Sequence, residues 1–128
     1  MKVFEKIIKV TKDDLDQLNH VNNVRYVQWV QDIAELHWLN NAPKDITDNY
    51  FWVMMSHHID YKSQAVLGDN INLKTFVIKS EGLISIRKVE IFNLSTNKLA
   101  AASETKWCFM NANTKRPARI PEEVISLF

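Results

Sequence analysis

Carboxylate, imidazole and amide side chains are concentrated between Asp14 and Asn23, directly before a long apolar stretch. Carboxylates and imidazoles transfer protons near neutral pH, and amides position water or a carbonyl group. Polar groups at the start of a buried helix add little to a hydrophobic core. The segment is therefore the first candidate for a catalytic site.

A carboxylate just upstream of a helix faces backbone N–H groups that have no partner within the first helical turn. An acyl carbonyl placed against such donors, around Asn23 and Val24, would be stabilised as an oxyanion by the N–H groups and the helix dipole. Base and carbonyl-polarising group would then lie in one short loop, which is typical of a hydrolase. For Asp16, the structural alternative is an Asx turn or a cap ahead of the helix.

The neighbouring polar residues also have structural alternatives. His20 suits a structural hydrogen bond as well as a place in a site. Asn22 and Asn23 are typical helix N-caps, and a cap at this point would also shape an oxyanion pocket. Asp14 fits a turn or a solvated position, so we leave it out of the chemistry.

The polar segment leads into a predicted helix from about Asn23 to Asn40. Apolar side chains repeat there at helical spacing and leave a narrow polar strip. Such a helix must be nearly wrapped by another element, and Asn40 to Pro43 ends it. The repeating positions are Tyr26, Trp29, Val30, Ile33, Leu36 and His37.

Strand patterns surround this helix, and Ile84 and Ile86 alternating with Ser85 and Arg87 are one example. Hairpin-sized loops between the strands require antiparallel neighbours. The fold class is therefore α+β: one domain over residues 1–128, with a five-stranded antiparallel sheet wrapped around one long central helix. We predict strands over Val3 to Thr11, Tyr50 to Ser63, Asn70 to Lys79, Leu83 to Asn93 and Leu99 to Met110, an irregular link over Lys44 to Asn49, and a short C-terminal helix over Glu122 to Ile125.

The element order and the motif resemble the hotdog-fold thioesterase superfamily. The runs Asp14-Leu15-Asp16 and His20-Val21-Asn22-Asn23-Val24, followed by Tyr26 and Trp29, are similar to those of 4-hydroxybenzoyl-CoA thioesterases and plant acyl-acyl-carrier-protein (acyl-ACP) thioesterases. The resemblance implies hydrolysis of acyl-CoA or acyl-ACP to free acid and thiol. It places the catalytic carboxylate at Asp16, either as general base on water or as nucleophile on the thioester carbonyl.

The resemblance assigns the other site residues one by one. His20 matches the catalytic histidine of the plant enzymes, but Leu18 stands where they have a catalytic asparagine. Their second acidic residue falls near Gln64, an amide that could hold water but could not act as a base. We therefore predict Asp16, His20, Asn23 and Gln64 as catalytic residues. The predicted substrate contacts are Asn22, Val24, Tyr26, Val30 and Tyr61.

The remaining expectations concern partners and location. The resemblance implies a homodimer, or a tetramer, and no cofactor apart from coenzyme A as part of the substrate. The formal net charge of +1 argues neither for nor against an anionic ligand, but no helix carries a basic stripe and no finger or recognition-helix pattern appears, so nucleic acid is not expected. The lack of a signal peptide or membrane span suggests a cytoplasmic protein. Adjacent His57 and His58 point to opposite strand faces, so no metal is expected, and Cys108 reads as a small buried hydrophobe. The alternatives are a non-catalytic acyl-CoA-binding protein and a hydratase or dehydratase.

Overall fold

A computed structural model describes residues 2–128, in which five strands and two principal helices follow one another with a short helix at the end. Apart from a helix over Lys44–Asn49, the order of elements is the predicted one, with strand bounds shifted by a few residues. The elements are β1 (Phe4–Lys9), α1 (Asn23–Asn41), α2 (Lys44–Asn49), β2 (Tyr50–Tyr61), β3 (Asn70–Glu81), β4 (Ile84–Asn93), β5 (Lys98–Asn111) and α3 (Glu122–Ile125), with a 3-10 turn over Lys12–Asp14.

All five strands form one antiparallel sheet, as predicted, and the structure gives their order as β1-β3-β4-β5-β2. Gly82 makes the tight β3–β4 turn at φ 64°, a backbone conformation that suits a residue without a Cβ. The strands β1 and β2 lie at the two edges. The ladder between β2 and β5 is interrupted by a bulge at Met55, because Met54 pairs with Trp107 and Ser56 with Lys106.

The helix α1 packs one face on the inner side chains of the sheet. Its buried residues include Ile33 and Val30, both 0% exposed, which meet apolar side chains of β3, β4 and β5. The helix is less completely wrapped than its sequence predicts, since Leu36 and Leu39 are 37% and 54% exposed. A single sheet covers only the side of the helix that rests on it, so these leucines stay on the outer face.

The segment Lys44–Asn49 is a helix, so the prediction of an irregular link is wrong. The Pro43 carbonyl accepts hydrogen bonds from the N–H groups of Ile46 (3.0 Å) and Thr47 (3.1 Å) and starts the turn. Ile46 is the one residue of the segment that is buried, at 5% exposure. One buried side chain in six residues is too short a pattern to display helical periodicity.

Aromatic rings fill a second core where the end of α1 meets α3. Trp38 lies edge-on to Trp52 and stacks on Phe128, with ring centroids 5.8 Å apart in both pairs. Phe109 is fully buried among them. Within residues 2–128, no helix is long and apolar enough to cross a membrane.

Candidate active site

The predicted catalytic carboxylate lies in a tight loop that immediately precedes α1. The loop closes through hydrogen bonds from the Asp16 N–H to the His20 carbonyl (2.8 Å) and from the Asn19 N–H to the Asp16 carbonyl (3.1 Å). Asn19 takes a left-handed conformation at φ 63°, which asparagine tolerates better than most residues. Leu18 stands at the tip of the loop and is 67% exposed.

The two oxygens of the Asp16 carboxylate have different surroundings. Its Oδ1 accepts the N–H groups of Leu18 (2.8 Å) and His20 (3.2 Å), which is the Asx turn expected of a structural aspartate. Its Oδ2 has no hydrogen-bond partner among the described residues, and the residue is half-buried. The turn therefore fixes the orientation of the carboxylate and leaves one oxygen available to water or substrate.

The start of α1 offers fewer free N–H groups than the sequence suggests. Asn22 is the N-cap, and its Oδ1 accepts the Val24 N–H at 3.0 Å, so that donor is already occupied. The Asn23 N–H has no acceptor among the described residues. Of the two donors predicted to polarise a carbonyl, the one at Asn23 is free.

Asp14 holds the loop against the helix. Its carboxylate accepts the Thr11 N–H at 2.8 Å and pairs with Arg25 Nε at 3.0 Å, while its carbonyl accepts the Asn22 N–H at 2.8 Å. These contacts join the segment before the loop to the first turn of α1. Asp14 is thus a structural residue, in keeping with its omission from the predicted chemistry.

The segment between β2 and β3 closes the other side of the loop. The Val21 N–H donates to the Ala65 carbonyl at 2.9 Å, and His20 forms a single antiparallel bridge with Val66. Gln64, next to Ala65, is exposed and lies in the segment that meets His20. The His20 side chain makes no hydrogen bond to any described residue, so its imidazole has no fixed partner in the single chain.

Two tyrosines connect this segment to the helix. The Tyr61 hydroxyl donates to the Asn23 carbonyl at 3.4 Å, and its ring lies 5.7 Å from that of Tyr26. Burial, the negative charge of Asp69 and the neighbouring Tyr61 raise the pKa of Tyr26 to about 12, so its hydroxyl stays protonated at neutral pH. The structure therefore brings Asp16, His20, Asn23 and Tyr61 to one end of α1.

Asp69 is a residue of this region that the sequence identified only as part of a turn. Its Oδ2 accepts the Val66 N–H at 3.0 Å and the Asn93 amide at 2.8 Å, and thereby fixes the segment that pairs with His20. Because Asn93 is fully buried, this contact ties the candidate site to the core of the sheet. The Gly68-Asp69 pair was the available sequence signal, and it indicated a turn without its side-chain partners.

A family model described as the thioesterase-like superfamily matches residues 10–128. The chain belongs to the thioesterase-like superfamily. A search of curated proteins gives no match.

Solved structures, two of them described as thioesterases or probable thioesterases, share the architecture. The probable thioesterase YbaW from Escherichia coli is 23% identical, with a TM-score of 0.84 over 96% of this chain and 94% of that one. A Staphylococcus aureus protein solved in complex with CoA is 19% identical, with a TM-score of 0.87 over 98% and 81% of the two chains. The 12:0-ACP thioesterase from Umbellularia californica is 15% identical, with a TM-score of 0.82 over 97% of this chain and 48% of that one. These likenesses confirm the predicted hotdog fold.

In this thioesterase-like chain, a cavity lies away from the predicted catalytic loop. It has a volume of about 380 Å³ and is lined by the second half of α1, the start of β2, and residues of β3, β4, β5 and the C-terminal segment. Tyr26 and Val30 do not line it and are instead packed in the core, 3% and 0% exposed. Their role as substrate contacts, like the catalytic roles of Asp16, His20, Asn23 and Gln64, stays a prediction.

The histidines and the cysteine form no metal site in the described part of this thioesterase-like chain. No group of three or more His, Cys, Asp or Glu side chains is placed to hold an ion within residues 2–128. His57 shares a 2.8 Å hydrogen bond with the Ser103 hydroxyl, and His58 lies 3.2 Å from Asp60. Cys108 is buried, as predicted.

Proposed function

We propose that the protein hydrolyses an acyl thioester to a free acid and a thiol, with acyl-CoA as the substrate class and acyl-ACP as the alternative. One observation carries the proposal: in the loop that leads into the 19-residue helix α1, one oxygen of the Asp16 carboxylate is fixed by two N–H groups and the other has no partner among the described residues. The Asn23 N–H at the start of that helix also has no acceptor there. Membership of the thioesterase-like superfamily supports the reaction class.

The proposed mechanism uses Asp16 and Asn23 together. The thioester carbonyl oxygen would accept the Asn23 N–H, so that the helix dipole and this donor stabilise the negative charge of the tetrahedral intermediate. As general base, Asp16 Oδ2 would take a proton from the attacking water, and the thiolate would leave with that proton. As nucleophile, the same oxygen would attack the thioester carbonyl and break the C–S bond, so that the thiolate leaves and an acyl anhydride forms on Asp16. Water would then hydrolyse the anhydride to the free acid and restore the Asp16 carboxylate, and a proton of that water would end on the thiolate. His20 and Gln64 would orient the water in either case.

Apolar side chains around the loop support an acyl substrate. Leu18, Val24 and Leu67 are 67%, 73% and 53% exposed, and Val66 and Tyr61 are exposed beside them. Exposed apolar side chains grouped around a polar centre are typical of a surface that another molecule covers. We propose that an acyl chain, a partner subunit or both cover these residues.

The assembly we propose is a homodimer, with a tetramer as the alternative. The edge strand β2 is twelve residues long and leaves one side of its backbone without a partner strand among the described residues. The unpaired N–H and C=O groups of so long an edge strand can pair with another chain, and a second copy of this chain would supply the paired strand. Light scattering at micromolar concentration tests this, and a monomer there would refute the dimer.

Hydrolysis is tested by a panel of acyl-CoA and acyl-ACP thioesters with detection of the released thiol. Asp16→Asn keeps an acceptor for the Leu18 and His20 N–H groups, so we expect it to fold while turnover falls about 10²–10⁴-fold. Asp13→Asn, an exposed neighbour, is the matched control and should keep wild-type turnover.

Two results would count against this function. A folded Asp16→Asn protein with wild-type turnover would refute Asp16 as base or nucleophile. Saturable acyl-CoA binding without thiol release across the panel would instead favour a non-catalytic binding protein.

A further inference from the structure

Arg87 is a charged residue on the inner face of the sheet. It alternates along β4 with outward residues and shares its face with Val89 and Ile91, which are fully buried. Arg87 itself is 7% exposed. No acidic side chain among the described residues forms a salt bridge with it. A buried guanidinium without a counter-charge is rare in proteins, because removing the charge from water is unfavourable.

The partners of Arg87 are neutral and use one of its three nitrogens. Its Nη1 donates to His37 Nδ1 at 2.8 Å and to the Thr75 hydroxyl at 3.0 Å. Burial, reinforced by the Arg87 charge, lowers the pKa of His37 to about 4, so this imidazole is neutral at pH 7 and accepts the bond. Nε and Nη2 have no acceptor among the described residues, which leaves three N–H donors unused.

Arg87 lines the 380 Å³ cavity together with aromatic side chains. Its guanidinium carbon lies 5.9 Å from the centre of the Phe128 ring, which also borders the cavity. Trp38, Trp52, Trp107 and Phe51 form much of the remaining wall. The cavity thus places one cation among six aromatic side chains, in a wall that also carries polar residues such as Ser80 and Ser85. Its volume lies near the lower end of ligand pockets, about 300–1,000 Å³.

Among residues 2–128, Glu35 is the one acidic residue in the cavity wall, and it does not neutralise Arg87. It lies on the exposed side of α1, and no salt bridge joins the two side chains. The buried charge therefore has room for an anion from solution.

We propose that this cavity binds an aryl carboxylic acid, with the carboxylate on Nε and Nη2 of Arg87 and the ring against the tryptophans. The planar guanidinium matches a carboxylate with two parallel hydrogen bonds. A doubly charged phosphate would bring more charge than one arginine balances, so the single cation favours a carboxylate.

The site is separate from the proposed thioester site. The nearest helical residue of the cavity, Gln31, lies eight positions after Asn23, or about 12 Å along the axis at 1.5 Å per residue. Binding of a free acid needs no thioester chemistry, so a test of this site gives a result that does not depend on the proposed hydrolysis.

Calorimetric titration with 3-phenylpropionate and its neutral analogue 3-phenylpropionamide tests the site. On the wild-type protein we expect the acid to bind about tenfold more tightly than the amide, or better, because charge-assisted hydrogen bonds form with the acid alone. Arg87→Met should reduce acid binding to the level of the amide. Lys88→Met, which removes a charge from the opposite face of the same strand, is the matched control and should leave the preference unchanged.

Several outcomes would overturn the site. Equal affinity for acid and amide, or binding of neither, would refute it on wild-type protein alone, whether or not Arg87→Met folds. A folded Arg87→Met protein that still prefers the acid would also refute it. Loss of the preference in Lys88→Met would assign it to surface charge instead.

Discussion

Replacing Asn22 by aspartate would keep an acceptor for the Val24 N–H and add a negative charge at the start of α1. In the native protein, Asn22 Oδ1 accepts this N–H at 3.0 Å. A negative charge at a helix N-terminus stabilises a protein by about 0.3–1 kcal/mol. We therefore expect Asn22→Asp to unfold at the wild-type temperature or up to about 5 °C higher.

The same charge should slow hydrolysis. It would lie beside the Asn23 N–H, where the proposed mechanism places the developing oxyanion. Two like charges 4 Å apart repel by about 4 kcal/mol at an effective dielectric constant of 20. Asn22 is exposed, so solvent reduces this to roughly 1–2 kcal/mol, and kcat should fall about 5- to 30-fold.

Circular dichroism melting and thiol release measure the two effects on the same samples. Asn22→Ala is the control: it loses the cap at a cost of about 1 kcal/mol but adds no charge, so it should melt earlier without the electrostatic loss of kcat. A folded Asn22→Asp protein with wild-type kcat would refute the placement of the oxyanion at the Asn23 N–H.

Three further predictions concern stability, each measured by urea unfolding. Lowering the pH from 7 to 4.5 should reduce the free energy of unfolding by about 2–3 kcal/mol, because the pKa of His37 is about 4 when folded and 6.5 when unfolded, so the unfolded chain takes up the proton first. The His37→Gln protein should lose less stability over the same pH range, and an equal loss would contradict this origin. Tyr61→Phe should change the free energy of unfolding by less than about 0.5 kcal/mol, since its 3.4 Å bond to Asn23 is long and exposed; a larger loss would mean that the hydroxyl is better paired than it is here. Ile33→Ala should lower the free energy of unfolding by about 2–5 kcal/mol, and Leu39→Ala, at an exposed position, by less than about 0.5 kcal/mol. Similar losses in the two variants would contradict the difference in burial between Ile33 and Leu39.

The fold could be predicted because long periodic segments dominate it. The change from helical spacing in α1 to alternation in the later strands gave the element types, and short loops required antiparallel pairing. The helix at Lys44–Asn49 was not predicted, because it is held by hydrogen bonds to the Pro43 carbonyl and by one buried side chain, Ile46, and shows no repeated apolar pattern.

Partners of individual side chains could not be predicted. Asn22 and Asn23 were equal candidates for the cap, and the structure decides for Asn22, which removes the Val24 N–H from the free donors. The alternation of Ile84 and Ile86 with Ser85 and Arg87 identified a strand. Hydrophobicity alone would turn Ile84 and Ile86 inward, but in the structure Ser85 and Arg87 are the buried residues. Val89 and Ile91 set the inner face, and period two then carries Arg87 inward with them.

The bulge at Met55 limits how the exposed edge of the sheet can grow. It divides β2 into the stretches 50–54 and 56–61, and an incoming strand that keeps one register along a stretch must shift its register to continue past the bulge. The opposite edge, β1, is six residues long. Neither edge is a long flat template for endless strand addition, so the sheet can accept one matched partner while resisting growth into fibres.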